Sequence, residues 1–226
     1  MDWSFPQVAY EFPEKRQLCE NCKRPSKVCF CDVIPEEKLD HSTTVCILQH
    51  PAEASTAFCT TPFLQSCLQH VQVVSKLPPE WKLLQEQDLV LFPSDTSTPV
   101  ENISRGKYRL FVIDGTWSSA KKIYKKHEHF QQRRNVFLSR RDNIPLFLLR
   151  KPPSNIVNAY CTAEAVATAL YWLEQDEAKG SKIYHTIRNC IRKFCEKQMQ
   201  YISKDSVRHR RQNQGYIEQL YEQWQS

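Results

Sequence analysis

The sequence predicts an α/β fold built on a mostly parallel sheet. Three observations carry this expectation. Short apolar, β-branched runs recur along the chain, each closed by a proline, an acid or a polar turn; longer stretches with helical periodicity lie between them; and the two kinds of segment alternate rather than cluster. Alternation of this kind places helices on the faces of a parallel sheet.

The elements follow in order. Residues 1–40 carry prolines and cysteines with no periodic pattern. Residues 43–49, Thr-Thr-Val-Cys-Ile-Leu-Gln, read as the first buried strand, stopped at His50-Pro51 because proline cannot donate to a ladder. Residues 54–70 read as helical, with Pro62 in a first turn or at a kink. Further strands are expected at 71–75, 88–92, 109–114 and 135–138, with a weaker one at 146–149, and helices at 118–130, 162–175 and 181–202. After Lys204 the chain is polar and basic, ending in Tyr216, Ile217, Leu220, Tyr221 and Trp224 at helical spacing, a stripe that reads as packing. The expected organisation is an N-terminal segment over 1–40, a main domain over 41–203 and a tail over 204–226.

Length and composition bound the answer. A chain of 226 residues with 41% hydrophobic and 25% charged content supports one sizeable core plus a small appendage. No stretch reaches the apolar length of a membrane span, and the N-terminus lacks a basic-then-apolar signal peptide. We therefore expect an intracellular protein without a membrane partner, cytoplasmic or nuclear, in which ten cysteines persist as thiols. The four glycines, Gly106, Gly115, Gly180 and Gly215, are scattered, which excludes a Rossmann fingerprint or a P-loop. Any nucleotide-like cofactor must be held by another backbone arrangement.

The net charge of +6 is modest, but its distribution is not uniform. Lys121, Lys122, Lys125, Lys126, Arg133, Arg134, Arg140 and Arg141 face only Glu128 within their stretch. A second group holds Lys182, Arg188, Arg192, Lys193, Lys197, Lys204, Arg208, Arg210 and Arg211 against Glu196 and Asp205. One basic run is usually a solvated helix face; two in a small chain favour a polyanionic partner such as RNA.

Cys19, Cys22, Cys29 and Cys31 give C-x2-C-x6-C-x-C. Four thiolates this close fit a tetrahedral Zn²⁺ site with no open position, hence a structural one. Lys23, Arg24 and Lys27 in its loops are expected to face outward. The other six cysteines sit in apolar or helical settings and read as small core residues.

Asp114-Gly115-Thr116-Trp117 follows the apolar run 109–113 and opens a basic helical stretch. An acid at a strand end lies where open α/β folds put their chemistry, whereas the bland reading makes Asp114 a helix cap. Three more segments share this character: His50-Pro51-Ala52-Glu53, Leu91-Phe92-Pro93-Ser94, and Asn158-Ala-Tyr-Cys-Thr162-Ala-Glu164-Ala165.

The four motifs in this order, with the cysteines ahead of them, resemble the DTW domain family over roughly residues 16–200. The resemblance implies a tRNA-uridine aminocarboxypropyltransferase, which transfers the 3-amino-3-carboxypropyl group of S-adenosylmethionine to N3 of a tRNA uridine. It also implies a SPOUT-like knotted core whose loops hold the cofactor. On this basis Asp114, Thr116 and Trp117 are the expected catalytic residues, Asp114 either as the base for N3 or as a ligand of the cofactor's amino group. His50, Pro51, Glu53, Phe92, Pro93, Asp114, Arg150, Thr162 and Glu164 are the expected cofactor contacts. Trp117 would stack on a base or anchor its helix, and Thr116 would contact the cofactor or cap. The family often has a basic or amide side chain where this chain has Cys59, and serine where it has Cys161. Both replacements weaken a polar contact, because a thiol is a poor donor.

Expected partners are tRNA and S-adenosylmethionine, with monomer and homodimer both open. Two other readings stay open: a zinc-bearing RNA-binding module without catalysis, and a SPOUT-type RNA methyltransferase.

Overall fold

A computed structural model describes residues 17–54, 56, 59–139 and 160–200. Six parallel strands form one sheet: β1 (Thr44–Gln49), β2 (Val71–Val74), β3 (Asp88–Leu91), β4 (Thr98–Pro99), β5 (Arg109–Asp114) and β6 (Arg134–Phe137), in the order β2-β1-β5-β3-β6-β4. The helices are α1 (Pro51–Ala54), α2 (Thr61–Cys67), α3 (Trp117–Lys126), α4 (Glu128–Gln131), α5 (Thr162–Leu173) and α6 (Glu177–Met199).

Side chains alternate across a strand, so each apolar run supplies both faces of the sheet. Val45, Ile47, Leu89, Leu110, Val112 and Val136 point to one side, where Phe63 and Leu64 of α2, Val166 and Leu170 of α5, and Ile187, Ile191 and Phe194 of α6 cover them. Cys46, Leu48, Val90 and Phe111 point to the other and meet Trp81, Ala120 of α3 and Phe130 of α4. The near-continuous burial of β1 and β5 follows from this double coverage.

At the N-terminal edge of the sheet a buried ion cluster replaces apolar packing. Asp88, with no exposed side-chain surface, accepts from Arg109 Nε and Arg133 Nε at 2.7 Å each. Arg133 also donates to the carbonyls of His129, Trp81 and Leu83 and lies over the Phe111 ring. Such a fully hydrogen-bonded arrangement is what a buried charge requires. Arg133, read from the sequence as an RNA contact, is thus turned inward, its side chain 1% exposed.

Several boundaries differ from the sequence expectation. Among the described residues, the helix expected over 54–70 is represented by α2 alone, α1 ending at Ala54, with Pro62 in the first turn of α2, where its missing N–H costs nothing. The helix over 118–130 breaks at His127 into α3 and α4. α6 starts at Glu177, earlier than expected, because Asp176 caps it by accepting from Lys179 N. Gly180 inside α6 is favoured by contact rather than by dihedral angle: a Cβ there would sit 3.0 Å from the carbonyl oxygen of Tyr171 in α5, so the two helices would have to move apart by a few tenths of an ångström. β4, two residues long, has too little pattern to be read. The weak strand at 146–149 and the tail over 204–226 lie outside the described residues.

Candidate active site

The C-terminal ends of β3, β5 and β6 open onto a cleft of about 460 Å³, within the usual size of a small-molecule site. Its walls are largely apolar: Phe92 and Pro93 follow β3, Gly115 and Trp117 follow β5, Leu138 follows β6, and Tyr160, Thr162 and Ala165 lead into α5. Phe92 is held by stacking on Tyr124 of α3, centroids 4.3 Å apart. The expected residues Phe92, Pro93, Trp117 and Thr162 are therefore brought to one cavity.

Asp114, the last residue of β5, is 7% exposed and adjoins that cavity without lining it: its chain neighbours Ile113 and Gly115 are in the wall, as is Thr162, which bonds its carboxylate. It does not cap a helix; Thr116 does, accepting from Ser119 N at 3.2 Å and donating to Ser119 Oγ at 2.9 Å. The Asp114 carboxylate instead receives three donors. Gln49 Nε2 and Thr61 Oγ1 reach Oδ2 at 2.8 Å each, and Thr162 Oγ1 reaches Oδ1 at 2.5 Å. Gln49 is the register partner of Asp114 in the parallel pair β1 and β5, while Thr61 and Thr162 each begin a helix. One carboxylate thus ties two strands to two helices.

Sequence reasoning missed Gln49, Thr61 and Tyr160. The only available signal for the first was a polar residue closing an apolar strand, and for the second a hydroxyl just ahead of Pro62. His50 and Glu53 do not line the cleft: His50 N donates to the Asp114 carbonyl at 2.7 Å, its Nδ1 accepts from Ala52 N at 3.2 Å, and Glu53 is 6% exposed. Pro51 is exposed at the start of α1. Glu164 is fully buried below the cleft. Its Oε2 accepts from Cys161 N at 3.2 Å, Cys161 Sγ accepts from Glu164 N at 3.4 Å, and Oε1 lies 3.7 Å from Arg188 Nη1. The weak thiol of Cys161 therefore acts as an acceptor in a capping box, a role that needs no strong donor. Arg188, expected to contact RNA, spends its charge on that buried pair, its side chain 13% exposed.

Cys59 stands beside the carboxylate network. Its Sγ accepts from Gln49 Nε2 at 3.3 Å, and burial pushes its thiol above the ordinary value. The next residue, Thr60, accepts from Ala163 N at 3.3 Å. Residues 59–61 are thus engaged in turn by β1, α5 and Asp114.

The four sulfurs of Cys19, Cys22, Cys29 and Cys31 lie within 4.8 Å of one another, with Cys19 and Cys31 at 3.8 Å and Cys22 and Cys29 at 3.6 Å. A tetrahedral site with bonds of ~2.3 Å needs sulfurs about 3.8 Å apart, so the donor set fits a closed metal centre. Lys197 of α6 fastens this loop by donating to the Cys29 carbonyl at 3.0 Å and pairing with Asp32. Arg24 does not face outward as expected: its guanidinium lies 4.8 Å from the Phe194 ring centroid, over the core.

Lys121, Lys122, Lys125 and Lys126 are exposed along α3, the helix that begins at the cleft, and Arg134 and Arg192 are exposed as well. Arg150, Arg208, Arg210 and Arg211 lie outside the described residues. Among the described residues no helix is long and apolar enough to cross a membrane.

Residues 16–199 match the DTW domain family. The chain is similar to tRNA-uridine aminocarboxypropyltransferase 2 of Mus musculus, 31% identical over 88% of this chain and 68% of that protein. It is 35% identical to the protein of that name in Drosophila melanogaster over 74% and 70% of the two chains, and 28% identical to tRNA-uridine aminocarboxypropyltransferase A of Arabidopsis thaliana over 91% of each. No solved structure matches.

Proposed function

Because this chain belongs to the DTW domain family, we propose that it is a tRNA-uridine aminocarboxypropyltransferase that uses S-adenosylmethionine to form 3-(3-amino-3-carboxypropyl)uridine, acp3U. The names of its relatives support the reaction class. The observation that carries the reading within this chain is the apolar cleft at the strand ends with the Asp114 carboxylate next to it, one hydrogen bond away through Thr162, which lines the cleft.

The chemistry requires a proton acceptor. Uridine N3 is protonated at neutral pH and a poor nucleophile until that proton is removed. Asp114 would take it, with the Thr162 hydroxyl, the one Asp114 donor that also borders the cleft, giving way. N3 then bonds to the carbon beside the sulfonium; that carbon–sulfur bond breaks with its electrons on sulfur, leaving neutral 5′-methylthioadenosine. Phe92, Pro93, Trp117 and Tyr160 would exclude water and offer apolar faces to the adenine and the uracil. His50 and Glu53, which follow β1 and do not line the cleft, would meet the cofactor from that side.

The four-cysteine centre would hold Zn²⁺ as a structural ion, since four protein ligands leave no place for substrate. The exposed lysines of α3 would receive tRNA phosphates. A SPOUT-like knotted core belongs to the same proposal, supported by the six-stranded parallel sheet and the cleft at its C-terminal edge.

One assay tests the whole reading. Protein incubated with S-adenosylmethionine and unmodified tRNA should yield acp3U in the nucleoside digest and 5′-methylthioadenosine in the supernatant. A methylated nucleoside with S-adenosylhomocysteine, or no product from well-bound tRNA, would overturn it.

A further inference from the structure

We infer that Arg24 is a positioning residue that couples the four-cysteine centre to the Asp114 network beside the cleft. The centre lies far from Asp114 in sequence, yet only a few bonded steps separate them in space. Arg24 follows Cys22 within the loop between the first and second pairs of cysteines, and Lys23 before it takes a left-handed φ of 57°. That conformation is uncommon for a lysine and turns the chain so that Arg24 runs inward. A backbone held this way needs its neighbours to fix it. Cys19 N donates to the Arg24 carbonyl at 2.8 Å and Lys23 N to the Cys19 carbonyl at 2.9 Å, closing the loop around the cysteines.

The Arg24 side chain crosses the core edge against two rings, 4.8 Å from the Phe194 centroid and 5.3 Å from that of Phe30. Nη2 then donates to the Cys59 carbonyl at 2.8 Å. Lysine could not do both, because only the planar guanidinium stacks on a ring while donating in its own plane. Cys59 begins the three residues already tied to the site: its sulfur shares Gln49 Nε2 with Asp114, Thr60 accepts from the start of α5, and Thr61 donates to Asp114. Of the three donors on the carboxylate among the described residues, Gln49 contacts the residue that Arg24 holds and Thr61 stands two residues beyond it. A metal that holds the cysteine loop sets the origin of this arm, and the arm sets segment 59–61. The centre then serves the site by geometry, without touching substrate.

The part of this inference that concerns activity rests on the proposed function; the coupling does not. The test is therefore built on hydrogen exchange. Arg24→Gln and Arg24→Lys are compared with the unsubstituted protein at equal zinc content, measuring amide exchange by mass spectrometry together with the dissociation constant of S-adenosylmethionine. Exchange over residues 59–64 should rise in both variants while peptides from β1 and β5 stay protected, and binding should weaken about tenfold, the scale of loss expected when a site is displaced by a fraction of an ångström. Zinc stripping of the unsubstituted protein with a chelator should reproduce the exchange change over 59–64, which keeps the test valid should either variant fold poorly. Unchanged exchange over 59–64 in the variants or after stripping would overturn the coupling. A uniform rise throughout the sheet would also overturn it, since that reports general destabilisation. If the unsubstituted protein does not bind S-adenosylmethionine while exchange over 59–64 responds as stated, the coupling holds and the proposed function fails.

Discussion

The hydroxyl of Thr162, first residue of α5, donates to Oδ1 of Asp114, last residue of β5, over 2.5 Å. This bond, with those from Gln49 and Thr61, makes the carboxylate a structural junction as well as the candidate base. The two roles separate by substitution. Asp114→Asn keeps an acceptor for Gln49 and Thr61 and offers an amide that the Thr162 hydroxyl can accept, so melting temperature should change little while transfer falls by at least about a hundredfold. Asp114→Ala leaves buried donors without a partner and should cost roughly 1–3 kcal/mol in stability. Retained S-adenosylmethionine binding by the Asn variant identifies the base; lost binding identifies a cofactor ligand.

Asp88 predicts an acid-labile contribution to stability. Burial works to raise its carboxyl, but Arg109, Arg133 and the Gln85 amide outweigh that and hold it below its ordinary value. A folded value below the unfolded one means stabilisation that is complete above the unfolded value of about 3.9 and is lost as pH falls through the folded value. Thermal melts from about pH 5 to about pH 2 should therefore fall more steeply for the unsubstituted protein than for Asp88→Asn. At neutral pH Asp88→Ala should be less stable by about 3–5 kcal/mol, because Arg133 is then buried without its counter-ion.

The cysteine set predicts one metal per chain. Protein purified without chelator should contain stoichiometric zinc by plasma mass spectrometry, and Cys22→Ser should retain little or none. The loss should lower the melting temperature, since a structural metal contributes folding free energy directly. Full-length protein with no zinc and an unchanged melt would remove the centre from the account.

Charge on α3 predicts salt-sensitive tRNA affinity. Lys121→Glu with Lys125→Glu should weaken binding and reduce the slope of log affinity against log salt by roughly one to two. Substituting Arg188 should instead act on stability, because its charge is committed to Glu164. Filter binding at several salt concentrations separates the cases.

Much of this site was legible in the sequence because chemistry collected at strand ends, where apolar runs stop. Phe92-Pro93 and Asp114-Gly115-Thr116-Trp117 could be placed at one edge of a parallel sheet from pattern alone, and there Phe92, Pro93, Gly115 and Trp117 line one cleft while Asp114 and Thr116 do not. The partners of Asp114 were not legible, since Gln49 and Thr61 are distant in the chain and only strand register and a helix start bring them near. Charge patterning misled for the same reason: Arg133 and Arg188 stand in basic runs, and only tertiary packing reveals Asp88 and Glu164 opposite them. Arg24 is the third such case, a basic loop residue whose rings to stack on come from Phe30 and from Phe194 at the far end of the described chain.

β5 begins with Arg109 in the ion cluster and ends with Asp114 beside the cleft. At about 3.3 Å per residue the six residues put roughly 17 Å of apolar strand between two sets of charges. Both sets are buried, so distance rather than salt attenuates their coupling, to about 1 kcal/mol per charge pair at an effective dielectric near 20. The strand is thus a spacer with a contact at each end. Substitutions at the Arg109 end act on heat resistance first and reach the Asp114 end only as a small change of field, so a lineage could adapt its working temperature with little retuning of its chemistry.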